Sequence, residues 1–235
     1  MTRFLRNSLA LALVLLVACA SSGGFEQPAP RVPASDAPVI NDDDVERAFA
    51  LQAQLPKPYR MGVLFRDPKR GSEQEVEWRW EPEHREAVLK ALEPLAGKGE
   101  LGAVYSIART TVVGDDLHAI RVAAARQGID AVLVISADNK IERSANGWAM
   151  TYLAVLPMLF APGSDLRVDF TTHAELWDVR NEYLYLAAEA DSRVEQSRAL
   201  PYIDLEEANA KAQKESLDLC VRELQRRFVA LHGAS

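Results

Sequence analysis

The sequence predicts an α/β domain: a mixed, mainly three-layer sheet with flanking helices, an antiparallel hairpin and a long C-terminal helix. Three observations predict it. Apolar runs at 59–66, 101–107 and 129–135 alternate with two segments of helical periodicity. Residues 166–176 alternate apolar with polar, and a short polar turn leads to a second strand-like run at 183–190. Apolar residues then recur every three or four positions from Leu205 to Leu231.

The chain opens with Arg3 and Arg6 as its only early charges, followed by an apolar run from Leu9 to Val17. A basic start and a short apolar stretch are the pattern of an export signal. A membrane-spanning helix needs about 20 apolar residues, roughly twice this run. The stretch ends Leu16-Val17-Ala18-Cys19 and continues Ala20-Ser21-Ser22-Gly23-Gly24. It resembles the lipobox of bacterial lipoproteins, which implies a diacylglyceryl thioether on Cys19, cleavage after Ala18, and a new amino group open to further acylation. Two or three acyl chains anchor stably where one does not. Residues 1–18 are therefore read as the signal peptide and Cys19 as the lipidation site. Ala20 stands where an inner-membrane retention signal would have Asp, so the expected location is the periplasmic side of the outer membrane.

From Ala20 to about Ile40 the chain is rich in Ser, Gly, Ala and Pro, with Pro28, Pro30, Pro33 and Pro38 closely spaced. Such a stretch buries too little apolar surface to offset its chain entropy, so 19–40 reads as a tether. About twenty residues at ~3.1 Å each give a reach of ~60 Å. Residues 41–235 are left as one domain of ordinary size.

Charge narrows the partners. The chain has 27 Lys and Arg against 34 Asp and Glu; without Arg3 and Arg6 the balance is 25 against 34, near −9. That disfavours nucleic acid, and no basic cluster suggests attachment to anionic lipid. With Cys19 lipidated, Cys220 is the remaining thiol, and its place in an apolar helical stripe makes it a buried small hydrophobe.

The elements follow in order. Asn41 or Asp42 caps a helix carrying Val45, Phe49 and Leu51 to Leu55, closed by Pro56 and Pro58. The Asp42-Asp43-Asp44 triplet lacks calcium-loop spacing, so capping explains it better. Tyr59 to Arg66 is the first strand, and Asp67 to Gly71 a turn. Glu75 to Trp80 alternates as a short edge strand or ordered loop. A helix from Glu81-Pro82 presents Val88, Leu89, Leu92, Leu95 and Ala96 and stops at Gly97 and Gly99. Leu101 to Ile107 is the second strand. A helix from Asp115-Asp116 presents Leu117, Ile120 and Ala124 and ends at Gly128, before the apolar strand Ile129 to Ile135. Strands apolar on both faces belong in the middle of a covered sheet. In the hairpin, Leu166, Val168, Phe170, Ala174 and Leu176 share one face; Thr171, His173 and Glu175 share the other. The last helix enters through Asp204 and closes at Gly233, with Ala208, Ala212, Leu217, Cys220, Leu224 and Phe228 in its stripe.

Chemistry is sparse. His84, His118, His173 and His232 have no ligand spacing, and no phosphate loop, nucleophile elbow or H-E-x-x-H motif is present. No catalytic residue, metal or cofactor is expected. Glu75, Glu77, Glu81 and Glu83 read as a solvated acidic edge. The apolar segment Trp148 to Pro162 marks an interface if exposed; burial is the preferred reading, because the chain needs core and Thr151 and Tyr152 can be satisfied inside.

Four stretches carry a family resemblance: Arg60-Met-Gly-Val-Leu-Phe, Gly128-Ile-Asp-Ala-Val-Leu-Val-Ile-Ser, the apolar 152–163 segment, and Ala174-Glu-Leu-Trp-Asp-Val-Arg with Tyr183-Leu-Tyr-Leu-Ala-Ala-Glu-Ala after it. Their order resembles the rhombotarget lipoproteins and, more loosely, envelope lipoproteins with an α/β domain similar to that of the curli secretion-channel protein. The resemblance implies an envelope lipoprotein and transfers no functional residue beyond Cys19. The expected function is a non-catalytic, lipid-anchored binding or assembly module that meets an envelope protein, its oligomeric state left open. One alternative is a subunit of an oligomeric envelope or secretion assembly, with 148–190 at the contact. The other is a hydrolase in which His173 meets a carboxylate in a deep pocket.

Overall fold

The computed structural model describes residues 41–68, 78–96, 100–145, 164–199 and 204–233. The described residues from Asp43 onward form one compact unit. Its elements are α1 (Asp42–Ala50), β1 (Tyr59–Phe65), α2 (Pro82–Leu92), β2 (Leu101–Ser106), α3 (Leu117–Arg126), β3 (Ala131–Ala145), β4 (Ser164–Asp178), β5 (Leu184–Arg198) and α4 (Leu205–Gly233). The strands make one mixed sheet in the order β2-β1-β3-β4-β5. β1 lies parallel to β2 and β3, while β3, β4 and β5 run antiparallel in turn.

Helices cover both faces of the parallel part. On one face Met61, Val63, Phe65, Leu133 and Ile135 pack with Val88 and Leu92 of α2 and with Leu217, Cys220, Leu224 and Phe228 of α4. On the other, Leu64, Val132 and Val134 meet Ile107, Ile120, Ala123 and Ala124 around α3. The unbroken apolar runs of β1 and early β3 follow from this double covering. β4 alternates instead: Leu166, Val168, Phe170, Ala174 and Leu176 are buried while their neighbours reach outward. Between α4 and β4 the contact includes polar groups, with the Ser216 hydroxyl 2.6 Å from Thr172 Oγ1 and 2.9 Å from the Ala190 carbonyl.

Local chemistry sets the boundaries. Pro82 occupies the first turn of α2, and Glu81 N–H donates to His84 Nδ1 at 3.2 Å. Asp116 caps α3 by accepting from Ala119 N–H at 2.7 Å. Gly128 then turns the chain at φ +68°, a region glycine enters without strain. Asp204 caps α4, accepting from Glu207 N–H at 2.9 Å.

Several expectations are corrected. The first helix stops at Ala50 rather than reaching Leu55, and none of its residues is buried. Leu51 to Leu55 is irregular chain instead, where the Tyr185 hydroxyl accepts from Gln54 and Leu55 N–H at 2.9 and 3.0 Å. Of the two readings of the Glu75 to Trp80 segment, Trp78 to Trp80 takes the ordered loop. Both indoles are buried, Trp78 packing edge-on against Phe170 at 5.0 Å and Trp80 donating from Nε1 to the Arg66 carbonyl at 2.8 Å. β3 runs ten residues beyond Ile135, and β5 eight beyond Ala190. The extra length forms because each strand pairs with β4 along its whole span.

Candidate functional site

Cys19, the tether 19–40 and the 148–162 segment lie outside the described residues, as do Glu75 and Glu77. The described residues offer three places where polar side chains gather.

The first is the face of β3, β4 and β5 opposite α4, uncovered among the described residues. Period two puts Asp138, Lys140 and Glu142 on it from β3, Arg167 to Glu175 at every second position from β4, and Glu189 to Ser197 likewise from β5. Register sets these into rows. One row is Glu142–Arg167–Glu195, with Arg167 2.9 Å from Glu195 and 3.8 Å from Glu142. The next is Lys140–Asp169–Arg193, with Arg193 Nε 2.5 Å from Asp169. Hydroxyls join the flanking rows: Ser197 donates to Asp165 and Thr171 to Asp191, both at 2.6 Å. The bond from Lys140 holds the Glu142 carboxyl below its ordinary range, and the bond to Asp169 raises Arg193. Opposite charges facing one another across strands stabilise a solvated sheet. Both strands of the hairpin are fifteen residues long, enough to cross a bilayer as barrel strands. Yet α4 packs on one face and charges fill the other, so neither suits lipid.

His173 sits on this face. Its Nε2 is 3.5 Å from Asp138 and its Nδ1 3.3 Å from Glu189. The structure therefore brings His173 to carboxylates, but on an open sheet with its side chain 30% exposed. Among the described residues no deep pocket surrounds it.

The second place is a cleft of about 260 Å³ at the carboxyl end of β1, lined by Arg66, Asp67, Arg109, Gly114, Asp115 and their neighbours. β1 continues to β2 on one side while β3 lies on the other, and open α/β sheets bind ligands at such a reversal. Here both guanidiniums are engaged by the protein. Arg66 donates to the Asp115 carbonyl at 2.8 Å. Arg109 donates to the Val112 and Gly114 carbonyls and pairs with Asp115. They order the loop that presents α3.

The third place, at the opposite end of β3, is Asp130. Its Oδ2 accepts from Arg60 N–H at 2.9 Å and its Oδ1 from Arg180 Nη2 at 2.8 Å. These bonds tie β1 and β3 to the β4–β5 turn.

The remaining residues stand apart. His84 serves the start of α2, and burial pushes its pKa down against the pull of Glu81, Glu83 and Asp218. His118 is exposed on α3. Among the described residues no group of three His, Cys, Asp or Glu is placed to hold a metal ion, and no helix is long and apolar enough to cross a membrane. Cys220 is 1% exposed. Burial, helped by Glu223 and opposed by Arg227, pushes its thiol up to about 12, so it carries no thiolate at neutral pH.

The rows of Asp138, Lys140 and Glu142 with Arg193 and Glu195 were missed by the sequence reading. A period-two signal was present: Ala137, Asn139 and Ile141 point inward while the charged residues between them point out.

No protein-family model matches the chain, and a search of curated proteins gives no match. Solved structures do align. A hypothetical protein of Chlamydia trachomatis is 11% identical, with 75% of this chain and 98% of that one covered and a TM-score of 0.37. A minor lipoprotein of Acinetobacter baumannii is 11% identical over 75% and 94%, TM-score 0.34. A lipoprotein of Neisseria meningitidis is 15% identical over 72% and 99%, TM-score 0.32. At such scores the likeness carries neither fold nor function, which rest on the chain's own residues.

Proposed function

We infer that this chain is a bacterial lipoprotein, held to a membrane by acyl chains on Cys19, whose α/β domain is a non-catalytic binding or assembly module for an envelope protein. The observation that carries the reading is the ordered series of Arg3 and Arg6, the Leu9–Val17 run, Leu16-Val17-Ala18-Cys19 and the Pro-rich stretch behind it. Each part has a mechanical use: targeting, translocation, processing and reach. Ala20 after the cysteine favours the outer membrane and its periplasmic side. The order of the four short segments between Arg60 and Ala190 supports a place among rhombotarget-type lipoproteins.

The module reading draws on what the polar groups do. Arg66, Arg109, Arg121, Asp130 and Asp178 are all bonded to backbone groups in structural roles. What faces outward is an ordered charged surface, suited to specificity toward a protein partner.

Substituting Cys19→Ser tests the anchor. Wild-type protein labelled with radioactive palmitate in cells should carry label and sediment with membranes. The C19S protein should carry none and stay unprocessed or soluble. Label and membrane fractionation retained in C19S would refute the assignment.

A further inference from the structure

The two edges of the sheet differ. β2 is six residues long, a short edge of the ordinary kind. β5 is fifteen residues long, and among the described residues no strand pairs with its outer side. Proteins usually blunt such an edge with proline, a bulge or charged side chains, lysine above all. The stretch Asp191-Ser-Arg-Val-Glu-Gln-Ser197 has no proline, bulge or lysine, its charges are of both signs and can pair with their own symmetry copies, and its pairing with β4 is regular.

We propose that the 191–197 edge of β5 pairs antiparallel with the same edge of a second copy of this chain, about a two-fold axis through Val194. The proposal is independent of the lipid anchor. Its warrant is the charge order on the uncovered face. With Val194 on the axis, Arg193 faces Glu195 of the second copy, Asp191 faces its Ser197, and each contact occurs twice by symmetry.

Both are kinds of pairing that β5 already makes with β4, Arg with Glu and Ser with Asp. The rows then continue without a clash of sign. Glu142, Arg167 and Glu195 are followed by Arg193, Asp169 and Lys140 of the second copy, so charge alternates along the whole row. In the neighbouring row, Ser144, Asp165 and Ser197 are followed by Asp191, Thr171 and Asp138, alternating hydroxyl with carboxylate.

Other registers lose this match. An axis through Ser192 sets Glu195 against Glu189 of the second copy, and like charges directly opposite are destabilising. Upstream, the Arg227 guanidinium holds the Ala187 carbonyl and Ser216 holds the Ala190 carbonyl. The pairing axis lies away from both.

Full-length protein in mild detergent tests the proposal by light scattering after size exclusion, together with cysteine cross-linking. Two chains per particle are expected. In cells expressing differently tagged D191C and S197C together, mild oxidation should link the two forms. D191C alone should not link to itself, because positions 191 of the two copies lie about 20 Å apart along the strand. Cys220 is buried and does not compete. R193E should weaken association about tenfold or more. A single chain per particle at tens of micromolar, three or more chains, or self-linking of D191C as strong as the mixed link would each overturn the proposal. Unaltered protein supplies the mass, so the proposal stays falsifiable even where a variant fails to fold.

Discussion

Asp130 is the most exacting test of the physical account. Its side chain is 9% exposed and receives two donors, the Arg60 backbone N–H and the Arg180 guanidinium. Asp130→Ala removes both acceptors. The Arg60 N–H then loses its partner at a cost of about 1–3 kcal/mol. Arg180 is half-exposed and turns to water, so its share is under about 1 kcal/mol. The expected total is roughly 1–4 kcal/mol. Asp130→Asn keeps one acceptor, which can satisfy Arg60 and turn the amide toward solvent-accessible Arg180, so about 1–2 kcal/mol is expected.

The pH dependence gives the sign. Burial pushes the Asp130 carboxyl up, but the Arg60 N–H bond, the Arg180 bond and the charges of Arg180 and Arg60 outweigh it and hold the group below its ordinary range. A carboxyl lowered by folding contributes fully above the unfolded value, near 3.9, and loses that contribution as pH falls through the folded value. Urea unfolding of residues 41–235, followed by circular dichroism at pH 7 and pH 3, reads this directly. The gap between wild type and D130N should be largest at pH 7 and narrow at pH 3. A gap that is unchanged or wider in acid would refute the account, as would D130A costing less than about 0.5 kcal/mol.

Two further outcomes are expected. Cys220 in native protein should react with a thiol reagent at least about a hundredfold more slowly than in urea, because only the thiolate attacks and burial suppresses it; comparable rates would place it on the surface. Gly62→Ala puts a Cβ 2.5 Å from Ile107 Cδ1 and 2.7 Å from Ile129 Cδ1. Overpacking there should cost about 1–3 kcal/mol, and adding Ile107→Val should restore part of it; full stability of G62A in thermal melts would show that the core yields more easily than argued.

The fold was legible where pattern and environment agree. β1 and early β3 are covered on both faces, so their apolar runs announced central strands. α4 carries one stripe because it packs on one side, and every residue assigned to that stripe lies against the sheet. The far half of β3 was not legible. Register turns Ala137, Asn139, Ile141 and Arg143 inward there, and only Ile141 of these is large and apolar, so hydrophobicity alternates weakly. Those residues become a strand because β4 offers them a partner, which is a tertiary cause. The first helix fails for the opposite reason. Leu51 and Leu55 satisfied helical spacing, but the Tyr185 hydroxyl 130 residues away takes the Leu55 N–H and the chain there is not helical.

The candidate sites divide the same way. Cys19 can be read from the sequence because a lipobox is a linear string and needs no fold. The charges of the uncovered face are two-dimensional. Arg193 finds Asp169 across 24 residues, and Arg167 finds Glu195 across 28. A list of those residues shows only a polar, acidic chain. A one-residue slip of β5 would turn Arg193 and Glu195 under α4 and bring Val194 to solvent, destroying both core and rows together. Burial of Val194 against α4 therefore fixes which residues reach the edge, and the alternation seen there depends on the same register that holds the core. A partner that reads this edge reads the packing behind it. Moving Val194 off the inner face should abolish pairing even with every charge retained.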